Sequence, residues 1–203
     1  MTNQTVEMIK QLRVETGAKV MECRKALEQG NHNYDRALAY LHEMAALTAR
    51  KQAEHDALEG RIETYAHNNG RIGVMVEINA ETEFASRSEV FRHFAHEVAL
   101  QITSASPLYV CDEDIPQEIL EEQKRTATEK AQNAGKPEQI IPQIVAGVLD
   151  KYRKQSVLLR QAYIRDENIT VGQLLSQTIH HIGENIVIQR FVRWEISQDS
   201  SPE

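Results

Sequence analysis

The chain is short of several things, and each shortage closes off a reading. Aromatic residues fill only 5% of its 203 positions, with a single Trp. Its two cysteines, Cys23 and Cys111, stand far apart and without metal-site spacing. They read as free thiols in a reducing compartment, not as a disulfide framework. No apolar run approaches the length of a membrane span. The opening residues, Met1-Thr2-Asn3-Gln4-Thr5, carry neither basic side chains nor an apolar stretch. That argues against a secretory signal and for a cytoplasmic location. Positive charge is also in deficit, with 23 Lys and Arg against 30 Asp and Glu. Eight of each sign fall within residues 1–58, so the remainder carries the whole acidic excess. An acidic body argues against nucleic acid as a direct partner, because phosphate binding needs a basic face.

Catalytic signatures are missing too. There is no Gly-rich phosphate loop, no Gly-x-Ser-x-Gly, no Cys-x-x-Cys and no His-Glu-x-x-His. Of eight histidines, His93 and His96 are three apart on an expected helix, and His180 and His181 are adjacent. Adjacent residues do not share a helix face, and no nearby Cys or carboxylate completes a ligand set. Glu81 and Glu83 could pair for acid–base work, but no nucleophile, oxyanion site or substrate pocket accompanies them. No catalytic residue, cofactor or metal is therefore expected, and the chain reads as a binding protein instead of an enzyme.

What remains is the composition of a soluble globular protein, 41% hydrophobic and 26% charged. Its pattern predicts an α+β fold. Three short helices open it: Val6, Ile9 and Leu12 give one apolar stripe, Val20, Cys23 and Leu27 mark a second helix, and Ala37, Leu38, Leu41 and Met44 a third. Gly17 suits the left-handed residue after a helix end, Gly30 ends the second helix, and Asn33 can cap the third. We place a three-helix domain at 1–46, a helical or loose connector at 47–60, an α+β core at 61–196, and a disordered tail at 197–203. In the core, Arg61–His67 alternates as a half-buried strand, Asn68-Asn69-Gly70 is a hairpin turn, and residues 72–78 form the second strand. Helices are expected over 87–104, from Gln117 to about Asn133, over 138–154 with Pro142 either starting or kinking it, and over 171–182. Thr170-Val171-Gly172-Gln173 reads as a capping box and Gly183 as a stop. Residues 185–196 alternate as a strand that should pair with the hairpin, while 157–164 is apolar and irregular.

The segment Asn79-Ala80-Glu81-Thr82-Glu83-Phe84-Ala85 stands out. It follows the second strand and precedes Ser86-Arg87-Ser88-Glu89, which reads as a capping box. Phe84 is then either an ordinary packed aromatic or a rigidly mounted probe for a partner's pocket. The stripe of the first three helices reads as their own core. Val20 and Met21 are left over as a candidate partner patch.

At these residues a resemblance becomes specific. Residues 9–18 (Ile9-Lys10-Gln11-Leu12-Arg13-Val14-Glu15-Thr16-Gly17-Ala18) and 21–27 resemble the N-terminal signature of the elongation factor Ts family. Residues 71–84 resemble its second signature and 182–195 its C-terminal strand, so the match spans nearly the whole chain in order. The resemblance implies a guanine-nucleotide exchange factor that binds elongation factor Tu, GDP-bound and nucleotide-free. It implies a ubiquitin-associated-like three-helix domain followed by an α+β core of dimerisation type, in the short bacterial form. It also implies that the turn Thr82, Glu83, Phe84 and Ala85 intrudes beside the magnesium site of the GTPase. Arg13, Val20, Met21 and Arg24 would grip its nucleotide domain. The departures are Glu83 for the usual Asp, Ala85 for Val, Lys19 for the common Gly, and Pro142 in a region usually helical. Val192 stands where some short members carry a dimer-forming Cys, which excludes that disulfide and leaves a homodimer open. The alternative is a diverged paralogue that docks on elongation factor Tu or another protein without exchanging nucleotide.

Overall fold

A computed structural model of the protein describes residues 3–196; the tail read over 197–203 lies outside them. Helices α1 (Asn3–Thr16), α2 (Val20–Gln29) and α3 (Tyr34–Gln52) close on a core of Ile9, Leu12, Ala18, Cys23, Ala26, Leu27, Ala37 and Leu41. Gly17 turns the chain with φ +68°, a value that needs glycine. The second turn works otherwise. Asn31 and His32 take the left-handed conformation, and Gly30 keeps a φ of −80°. Gly30 is required for space: a Cβ there would sit 3.0 Å from the Ala37 amide nitrogen. Asn33 caps α3 by accepting from the Arg36 amide at 3.0 Å. Lys19, at the position before α2, has an extended backbone and so has no need of glycine.

Helix α3 runs on through Gln52, beyond the stripe that marks it in sequence. Its second half is polar toward water but lies along the late helix α8 (Val171–Ile182), with Ala45 buried and Ala49 against the main core. The core sheet is antiparallel in the order β1 (Glu59–His67), β2 (Ile72–Ala80), β5 (Ile186–Glu195). Asn68, Asn69 and Gly70 all adopt positive φ at the hairpin, as their small or locally bonding side chains allow. Between β2 and β5 lie α4 (Glu83–Arg87), α5 (Glu89–Ala105), α6 (Gln117–Asn133), α7 (Ile141–Ser156), β3 (Ala162–Tyr163), β4 (Asp166–Thr170) and α8.

One face of the sheet is covered. Val74, Val76, Ile78 and Ala80 of β2, with Ile186 and Ile188 of β5, meet Phe91, Phe94, Val98 and Ile102 of α5 and Ile179 of α8. β5 does not alternate throughout. Glu77 pairs with Arg190 and Ile78 with Ile188, so Gln189 is the extra residue of a bulge. The bulge lets Ile188 and Phe191, three residues apart, both turn inward. The other face carries exposed Ile62, Met75, Val192 and Trp194.

Pro142 occupies the first turn of α7, where its missing amide has no intrahelical role, so the helix starts there and does not kink. α6 and α7 form a hairpin with a small core of Ala127, Ala131, Ile141 and Val145. Thr170 and Gln173 make the expected reciprocal cap, and Gly183 closes α8 at φ +86°. The segment read as irregular over 157–164 contains a short 3-10 turn and β3, which pairs with β4. Among the described residues no helix is long and apolar enough to cross a membrane.

A buried polar network fastens this β3–β4 hairpin to α5. Glu97, only 3% exposed, accepts from Tyr163 Oη and Arg165 Nε, each at 2.5 Å. Gln101 donates to the Ala162 carbonyl and accepts from the Ile164 amide. Burial pushes the Glu97 carboxyl up, but the bonds from Arg165 and Tyr163 outweigh it and hold the group below the ordinary value. With the folded pKa depressed, the stability this carboxylate contributes is complete above the unfolded value of about 4.3. It is lost as pH falls through the folded value. Glu97→Gln is therefore expected to destabilise the protein by about 1–3 kcal/mol at pH 7. In urea unfolding the gap to wild type should narrow below about pH 4. A gap of equal size at both pH values would show that the charge is not what holds the hairpin.

A candidate protein-docking site

The site grows from the end of β2. Ala80 is the last strand residue and is fully buried, so the chain leaves the sheet from an anchored point. Thr82 then caps the single turn α4, its hydroxyl accepting from the Ala85 amide at 3.2 Å. Ala85 and Ser86 face the core, and Glu83 forms an ion pair with Arg87 one turn on. Ser88, not Ser86, caps the next helix by accepting from the Phe91 amide at 3.2 Å. The box read at Ser86 and Glu89 is thus displaced by two residues. Ser86 is buried and its hydroxyl is spent on the Glu83 carbonyl. That leaves Phe84 as the second residue of α4, its side chain outward and 86% exposed. A ring of this size in water is unfavourable by itself, so the surrounding backbone must hold it there.

The restraints are polar and come from far along the chain. Glu184 accepts from the Thr82 amide at 3.0 Å and from the Thr82 hydroxyl at 2.9 Å. Glu81 accepts from the Asn185 amide at 2.6 Å and contacts His55 Nδ1 at 3.0 Å. Asn185 Nδ2 donates to the His55 carbonyl at 2.7 Å. Glu81 is therefore a strut between three segments and not a solvated turn acid. Sequence reading overlooked His55, Glu184 and Asn185. Their partners lie up to 130 residues away, and no local pattern announces such contacts. The one available hint is that Glu184 and Asn185 fill the turn between a helix stop and a strand.

A second exposed patch lies on the three-helix unit. Val20 and Met21 open α2, 47% and 67% exposed. Val14, near the end of α1, is also exposed, at 89%. Arg13 and Arg24 are also exposed, and Arg24 Nε contacts Glu28 at 3.0 Å. The patch is thus apolar at its centre and basic at its edge.

Several of the other reactive side chains have structural partners. Among the described residues no group of three or more His, Cys, Asp or Glu is placed to hold a metal. His96 stands edge-on to Tyr65 and contacts Glu63. His180 bridges Thr48 of α3 and Glu22 of α2. Both thiols are free, and Cys23 is buried. Burial raises the Cys23 thiol. Burial, with the carboxylates of Glu113 and Asp114, pushes Cys111 up to about 11. Neither is a nucleophile near neutrality.

Comparison with known proteins agrees along nearly the whole length. The family model described as "Elongation factor TS" matches residues 1–198. Proteins named "Elongation factor Ts" are similar to the chain at high coverage. The one from Coprothermobacter proteolyticus is 43% identical over 96% of this chain and 98% of its own. Those from Caldanaerobacter subterraneus subsp. tengcongensis and Rubrobacter xylanophilus are 45% and 46% identical, each over 94% of this chain and over 96% and 98% of their own.

Because Phe84 touches little of its own protein, Phe84→Ala should leave thermal stability within about 0.5 kcal/mol of wild type. Thermal unfolding checks this. A marked loss would mean the ring packs inward in solution.

Proposed function

The chain belongs to the elongation factor Ts family and is a translation elongation factor, and we propose that it binds elongation factor Tu and promotes exchange of GDP for GTP. The observation that carries this reading is the mounting of Phe84: a bare aromatic ring on a one-turn helix whose backbone is tied at several points. A GTPase holds its nucleotide through backbone amides at a helix N-terminus, a lysine and Mg²⁺. A factor that binds the nucleotide-free state more tightly than the GDP state must, by linkage, weaken GDP by the same factor. A ring wedged beside the magnesium and phosphate site achieves this without covalent chemistry of its own. Thr82, Glu83 and Phe84 present that wedge in this reading, and Ala85, buried beneath them, seats it on the core. Arg13, Val20, Met21 and Arg24 supply the second contact. Two contacts on one body raise the effective concentration of each for the other.

The test is release of a fluorescent GDP analogue from elongation factor Tu of the same organism. Acceleration at sub-stoichiometric amounts is expected, and Phe84→Ala should lower it by at least tenfold, as removal of a buried aromatic anchor does. Binding without acceleration in the wild-type protein would favour the diverged, docking-only paralogue.

We assign the open sheet face to a second copy of the chain. Ile62, Met75, Val192 and Trp194 form an apolar band there, and the Glu77–Arg190 pair at 2.8 Å leaves no net charge on it to repel a like surface. A two-fold axis over such a face is self-complementary. Trp194→Glu is expected to convert a dimer to a monomer in sedimentation. A wild-type protein that sediments as a monomer at tens of micromolar, a usual range for weak dimers, would remove this assignment.

A further inference from the structure

The geometry points to Glu184 as a positioning residue for Phe84, acting through Thr82; this rests on the reading of Phe84 as the exchange wedge. A hydroxyl has one proton and two lone pairs, and its proton is otherwise free to rotate. To cap α4, the Thr82 hydroxyl must turn a lone pair to the Ala85 amide. Glu184 takes the proton, with Oε1 at 2.9 Å and Oε2 at 3.0 Å, so the lone pairs are left facing the helix. Glu184 Oε2 also accepts from the Thr82 main-chain amide at 3.0 Å. One carboxylate therefore fixes both the backbone and the hydroxyl of the capping residue.

The cap matters more here than on a long helix. A single turn has no intrinsic stability, because nucleation is the unfavourable step. Phe84, with almost no packing of its own, takes its direction from that turn alone. Glu184 is held in its turn on both sides. The Gly183 carbonyl accepts from Gln52 Nε2 at 3.0 Å, and Asn185 is bonded to Glu81 and to His55. Gln52 ends α3, the last helix of the unit that carries Val20 and Met21. The same cluster thus fixes the ring relative to the second proposed contact. Ordering the ring before binding removes a cost that would otherwise fall on the encounter.

The experiment is nucleotide release from the partner GTPase at increasing concentrations of full-length wild type, Glu184→Gln, Phe84→Ala and the double variant. Glu184→Gln should lower the saturating rate by about three- to tenfold, the effect of losing a charge-assisted bond. The half-saturating concentration should change by less than about twofold, since the second contact is untouched. In the Phe84→Ala background the same substitution should have no further effect. Thr82→Val, which removes the hydroxyl that Glu184 orients, should lower the saturating rate at least as far as Glu184→Gln. A Glu184→Gln protein with the wild-type rate overturns the proposal. So does an equal loss in the Phe84→Ala background, which would mark a merely structural role. If Phe84→Ala itself exchanges at the wild-type rate, the wedge reading falls and this proposal with it, a result distinct from the other two.

Discussion

Everything in this molecule depends on strand β2 being buried on one face and bare on the other. Its inward residues, Val74, Val76, Ile78 and Ala80, form the floor on which α5 and α8 pack. As the central strand it also orders its two neighbours. Its outward residues include Met75 on the uncovered face. Its C-terminal end is the fixed point from which the Thr82 turn departs. A strand with this asymmetry links core, open face and probe, so disturbance of the floor would be felt at all three.

The division of labour is between apolar packing and distant polar ties. Packing decides where the helices lie, because burial is non-directional and tolerates small shifts. It cannot aim one aromatic ring into water. That task falls to charge-assisted bonds with narrow geometry. The bonds come from residues in three separate segments that only the folded sheet brings together. Rigidity at the probe is thus a consequence of global folding and not of local sequence.

This explains what could be read from the residues and what could not. The hairpin was legible because Asn68, Asn69 and Gly70 carry positive φ locally. Thr170 and Gln173 were legible because both halves of their cap lie within one turn. The start of α7 at Pro142 was half legible: a missing amide permits a start or a kink, and the packing of Ile141 and Val145 on α6 decides for the start. The cap at Ser88 was misread as Ser86 because both serines fit the pattern, and only burial of Ser86 separates them. The full run of α3 was legible only as a connector either helical or loose, and the β3–β4 hairpin was hidden. Each is stabilised by a partner element, α8 in one case and Glu97 of α5 in the other, and not by its own periodicity. Phe84 was legible as unusual, whereas the Glu184 tie that holds it was not.

The bulge at Gln189 acts as a parity switch within one strand. Before it, the even-numbered residues face the helices; after it, the odd-numbered ones do. Without the bulge, with Gln189 drawn into the regular pleat, the strand would exchange its two faces from Arg190 onward. Phe191 would turn to water, and Val192 and Trp194 would be driven into a space already filled by α5. In this segment the count of residues carries as much structural information as their identity. Loss of Gln189 itself would only straighten the strand, with Glu77 still opposite Arg190, whereas a residue lost elsewhere in it would exchange the faces beyond.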